Sequence, residues 1–167
     1  MGKKLVVKGA DFSEVAIETR TKQYLYGVPN SQMNGNPWNL NSLGFSLIEQ
    51  SVLQGKTIYG MRMNVDKAGT ITISKSSIVN PTTSSSLVVV AHAVANSTGI
   101  VDMAFDVPIE LGSGEYLIIS AATAKGKFHA DGSITGLAQQ KFYYKAGTSN
   151  IAQNDDYSLD IDFYTFV

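Results

Sequence analysis

Cysteine is absent from this chain of 167 residues. That excludes disulfides, thiolate metal sites and thiol nucleophiles, and leaves packing and hydrogen bonding to hold the fold. Charge of one sign is lacking as well: 13 Lys and Arg stand against 14 Asp and Glu, a net charge of −1. No strong field draws a polyanion or an anionic membrane, so neither nucleic acid nor membrane insertion is expected. Long apolar runs are missing too. Between Lys4 and Lys8 lie only Leu5, Val6 and Val7, far short of a signal-peptide core, so no secretory signal is expected. The longest run elsewhere, Leu87 to Ala91, has the length of a strand and not the roughly 20 residues of a membrane helix. Helical periodicity is scarce; the one candidate, Asp11 to Thr19 with Ser13 as a cap, suits a strand equally well and is read as extended.

What the chain has is alternation. Lys56 to Ser74 reads KTIYGMRMNVDKAGTITIS, two alternating runs meeting at Lys67-Ala68-Gly69, and these predict strands over 56–65 and 69–75 joined as a hairpin. Leu87 to Val94 is apolar at both parities, which predicts a central strand covered on both faces. Ile100 to Val107 puts Val101, Met103 and Phe105 on one face and Asp102, Ala104 and Asp106 on the other, and Pro108 should mark an edge or a strand start. Gly112-Ser113-Gly114 is a turn into a strand at Glu115 to Ala122. Tyr157 to Val167 sets Leu159, Ile161 and Phe163 opposite Asp160, Asp162 and Tyr164. Thr21 to Tyr26 carries Tyr24 and Tyr26 on one face. Long connections are expected at Pro29 to Leu43 and at Gly126 to Gly136. About nine or ten short strands separated by Gly, Asn and Ser turns predict an all-β, antiparallel sandwich of jelly-roll type. Residues 1–20 form an N-terminal arm or edge strand and residues 21–167 a single domain.

Reactive chemistry is thin. His92 and His129 have no carboxylate or serine at a spacing that marks a triad or a metal site, and each reads as a packed or solvated histidine. Asp155, Asp156, Asp160 and Asp162 are the densest acidic group; their apolar neighbours face inward, so a solvated acidic face is expected in place of a calcium site. Glu110 and Glu115 flank the Gly112 turn as a weak candidate for paired carboxylates. No catalytic residue, metal or cofactor is therefore expected. The best ligand-binding candidate is the 30–44 stretch, where Trp38 offers an apolar plate and Asn34, Asn36, Asn39 and Asn41 offer amides suited to sugar hydroxyls or a polar partner. A core plug is the competing role for Trp38. Tyr143, Tyr144 and Tyr157 could widen an aromatic platform, although adjacent Tyr143 and Tyr144 must face opposite ways.

KKLVVKGADFSEVAI at Lys3 to Ile17, GKTIYGMRMNVDKAGTITISK, PIELGSGEYLIIS and the closing FYYKAG and DIDFYTF together resemble a small β-sandwich module. That module recurs in proteins of Bacteroides-type gut bacteria and of the crAss-like phages that infect them. The resemblance implies a structural role without catalysis. In phages such modules look like virion decorations and fibre parts; in bacteria, like appendages of surface proteins. Without an export signal the expectation is a virion component assembled in the host cytoplasm, a homo-oligomer with a trimer possible. Its partners would be other virion proteins, itself and a host-surface glycan. Leu5, Val7 and Phe12 of the arm are the expected partner contacts, by strand addition to a neighbour. The rival expectation is a carbohydrate-binding or adhesion module of a bacterial surface, exported by a signal since removed.

Overall fold

A computed structural model describes residues 20–39, 45–47, 53–77, 87–129, 142–144, 152–154 and 158–167. These residues form thirteen strands: β1 (Lys22–Gly27), β2 (Asn36–Asn39), β3 (Phe45–Leu47), β4 (Thr57–Lys67), β5 (Gly69–Ser76), β6 (Val88–Ala95), β7 (Gly99–Glu110), β8 (Tyr116–Ser120), β9 (Lys125–His129), β10 (Phe142–Tyr144), β11 (Ala152–Asn154), β12 (Ser158–Leu159) and β13 (Ile161–Phe166). A 3-10 turn at Asn30–Gln32 is the one helical piece among them. The fold is all-β and the strand pairs are antiparallel, in the order β1-β13-β4-β7-β6-β5-β8-β3-β10-β11. β9 attaches to β4 and carries β2 and β12.

The two long runs at Lys56 to Ser74 do not make a hairpin. β4 pairs with β7 and β13, whereas β5 pairs with β6 and β8. In a flat sheet β4 and β5 would lie three strand spacings apart, about 14 Å. Yet only Ala68 separates them, a step of about 7 Å between the flanking Cα atoms. The sheet must curl to close that distance. Gly69, at φ 152°, sits at the corner where the chain passes from one strand group to the other.

One buried cluster lies inside the curl. Met61, Met63 and Val65 of β4 meet Ile71 and Ile73 of β5, Met103 and Phe105 of β7, and Leu117 and Ile119 of β8. Fully burying each such side chain stabilises the fold by roughly 1.5–3 kcal/mol. The faces of β7 are as the alternation predicts, with Met103 and Phe105 buried and Asp102, Ala104 and Asp106 exposed.

Other expectations are corrected. β6 is central but covered on one face only: Ala91, Ala93 and Ala95 are buried, while Val88, Val89, His92 and Val94 are exposed. Alanine suffices inside because the large side chains of β4, β5 and β7 fill the space. Pro108 is neither at an edge nor at a strand start. It lies where the β4–β7 register jumps, Ile58 facing Ile109 and Gly60 facing Ala104, and a missing N–H costs little at such an irregularity. Tyr24 and Tyr26 straddle a register shift against β13, which breaks their period-two relation. The stretch 29–43 holds the 3-10 turn and β2, and the stretch 126–136 opens within β9. Pro37 fits in β2 because, among the described strands, β2 pairs only with β9. Residues 1–19 of the arm, with the Asp11 to Thr19 stretch, lie outside the described residues.

Candidate functional site

The sequence candidates are spread over several strands. Asn36, Trp38 and Asn39 belong to β2, opposite Phe128, Gly126 and Lys125 of β9. Asn36 is exposed. Asn41, the arm residues Leu5, Val7 and Phe12, and Tyr157, Asp155 and Asp156 lie outside the described residues. His129 faces Ser158 in the β9–β12 pair, and Tyr143 and Tyr144 are successive positions of β10.

Asp160 and Asp162 are buried, contrary to the solvated face expected. The alternation divides the faces of β13 correctly, but the face opposite the core is covered by a second layer. Val28 and Met33, on either side of the 3-10 turn, are buried over it. Gly35 N donates to Asp160 Oδ2 at 2.9 Å, and Asn64 Nδ2 donates both to that oxygen at 3.1 Å and to Met33 O at 2.8 Å. Asp160 thus ties the 28–35 segment down onto β4. Burying a carboxylate requires such donors, since transfer from water without them is costly.

Beside it, the strands assemble a polar cluster that the sequence did not announce. Lys22 and Tyr24 on β1 reach across β13 to β4 and β7. Tyr24 Oη donates to Asp102 Oδ1 at 2.7 Å, Lys22 Nζ to Oδ2 at 3.1 Å and Arg62 Nε to Oδ1 at 2.9 Å. Arg62 Nη2 also donates to Tyr24 Oη. The Arg62 guanidinium lies 3.9 Å from the Tyr24 ring centroid, and the Lys22 ammonium 4.6 Å from that of Tyr164. Burial pulls the Asp102 carboxyl upward, but hydrogen bonds from Tyr24, Arg62 and Lys22 outweigh it and hold the group below the usual carboxylate range. The Tyr24 hydroxyl is pushed well above its ordinary value by burial and then by its bond to Asp102. Tyr164 rises for the same first reason, burial. Every polar end in this group meets another, so the cluster is a fastening for β1.

Two further pairs are similar. Asp106 accepts from the His92 backbone N–H at 2.6 Å with Oδ1, and its Oδ2 stands 3.1 Å from His92 Nδ1. This pins a seam in which only Ala93 and Phe105 pair directly. The distance along the chain hid this pair, because only the register brings His92 and Asp106 together. Glu110 and Glu115 do not form a carboxylate pair: Glu115 accepts from Lys75 Nζ at 2.7 Å and from Gly112 N at 2.6 Å, and Lys75 Nζ also donates to Glu110 O. These bonds, Lys75 first, lower the Glu115 carboxyl.

The remaining feature is apolar. Val88, Val89, Val94, Ile100 and Val107 are 46–64% exposed and all lie on the adjacent strands β6 and β7. Val88 and Val89 are successive and turn to opposite faces, but exposed apolar side chains on two adjacent strands are a candidate interaction surface. The doubly apolar run at 87–94 was the available signal, read as a doubly covered strand. Among the described residues no three His, Asp or Glu side chains converge as metal ligands. No family model, curated protein or solved structure matches the chain.

Proposed function

We propose that this chain is a non-enzymatic structural or attachment protein of a phage virion, a capsid decoration, head fibre or tail component that assembles with copies of itself. The curled sheet is then a jelly-roll-like sandwich whose task is to hold and present surface. The observation carrying the assembly part is the band of exposed valine and isoleucine on β6 and β7, which water disfavours and a neighbouring copy would cover. The virion part rests on the resemblance of the segments quoted above.

Mass spectrometry of purified particles tests the virion reading, with the chain expected at stoichiometric abundance beside the major capsid protein. Its presence only in a bacterial surface fraction would overturn it and leave the adhesion reading. A glycan array then separates the two uses of β2, since an adhesion module should lose sugar binding on Trp38→Ala while keeping its fold.

A further inference from the structure

The band on β6 and β7 has a sign as well as a hydropathy. Between Val88 and Glu110 the chain carries Asp102, Asp106 and Glu110 and no Lys or Arg. Asp102 is engaged by Lys22 and Arg62 and Asp106 by His92, while the Asp106 and Glu110 side chains stay open to water. A matching surface would be aliphatic and basic. Lys3 to Lys8, KKLVVK, has that composition, with three lysines, three aliphatic residues and no acid.

Length fits too. Six extended residues cover about 20 Å, and the eight residues of β6 about 26 Å. The exposures on β6 and β7 are those of a single copy of the chain, and none of the described residues covers the face. Thr21 pairs with Val167 at the end of β13, and the residues between Lys8 and Thr21 can span up to about 40 Å, enough to reach an adjacent copy.

We propose that residues 3–8 of one copy lie across the outer face of β6 and β7 of a second copy, with Leu5 and Val7 against the exposed valines and the lysines toward Asp106 and Glu110. This rests on the assembly reading above and gives the arm a different mode from strand addition. β6 and β7 both have neighbours on either side in the sheet, so the arm binds through side chains while its main chain stays open to water. The partner is thus the same chain, and the contact is heterologous, arm to face.

The lack of cysteine makes the test clean, because introduced thiols are the only ones present. Full-length chains carrying Val7→Cys and differently tagged chains carrying Val94→Cys are mixed and mildly oxidised. The expected result is a disulfide-linked heterodimer in several-fold excess over the same mixture made with Ser113→Cys, on the exposed Gly112 turn. Raised salt, or Lys3→Glu with Lys4→Glu and Lys8→Glu, should lower the yield by screening or reversing the attraction. Equal yields with both acceptors would overturn the proposal, as would a chain carrying both Val7→Cys and Val94→Cys that closes on itself. Light scattering on the same samples separates the two claims. A multimer without the cross-link rejects the docking position and leaves the assembly reading standing, whereas the mass of a single chain throughout rejects both.

Discussion

Asp102 draws donors from β1 and β4 onto a single carboxylate that is one-third exposed. Charged hydrogen bonds contribute about 1.5–3 kcal/mol when shielded and less when solvent screens them. Asp102→Asn should therefore lower unfolding free energy by about 1–2 kcal/mol, measured by urea denaturation at neutral pH. The sign with pH follows from the direction of each shift. Asp102 is depressed in the fold, so its contribution is complete above the ordinary value of 3.8 and is lost as pH falls through the lower folded value. The wild-type and Asp102→Asn stabilities should converge in acid. Tyr24 is raised, so its contribution is complete below the ordinary value of 10.0 and is lost as pH climbs beyond it. Tyr24→Phe should cost about 1 kcal/mol at neutral pH and show a shallower alkaline decline, Tyr164 keeping the remainder. A Tyr24→Phe profile parallel to wild type above pH 10.0 would place the alkaline transition elsewhere. None of this cluster is visible in the chain as written. Lys22, Arg62 and Asp102 carry no shared spacing, and only the strand order brings them together.

Among the elements, β4 best shows what alternation can and cannot tell. Its inward residues, Met61, Met63 and Val65, are those a period of two selects, and all are buried. Its partners are not, because an alternating run, a glycine and a second run describe a hairpin and a sheet corner equally well. The corner is decided by distant residues: Ile73 faces Ile119, and Met61 faces Met103 and Phe163. Likewise β13 shows its two faces in sequence, while the cover over Asp160 comes from the 28–35 segment, near the other end of the chain, through the bond from Gly35. Gly60 marks a second limit. It looks like a weak point in a strand, yet a Cβ there would collide with Met103 O and with the Tyr164 hydroxyl folded over it. Gly60→Ala should destabilise by about 1–3 kcal/mol through overpacking, despite its better strand propensity, as thermal and urea unfolding would show. Across β6 the contrast is sharper. Ile73→Ala, opposite Ala91 in the core, should cost about 2–5 kcal/mol, whereas Val94→Ser on the open face should stay within about 0.5 kcal/mol. A large loss at Val94 would mean that this face is packed in the isolated chain.

At the scale of the molecule, the curl explains why a chain without disulfides can spare apolar surface. Both strand groups turn their large side chains into one cluster, and the exposed valines of β6 and β7 contribute little to holding the fold. Exposed valine there is what the proposed contact with another copy would use, and the Lys3 to Lys8 segment, KKLVVK, has a composition suited to it. The most direct measurement is the mass of the full chain by multi-angle light scattering across a concentration series, beside a Val89→Ser, Val94→Ser variant whose thermal unfolding matches wild type. The expected result is a multiple of the single-chain mass for wild type and a fall toward one chain for the variant. A wild-type protein that scatters as one chain at every concentration, or a variant as large as wild type, would contradict an assembly built on this face.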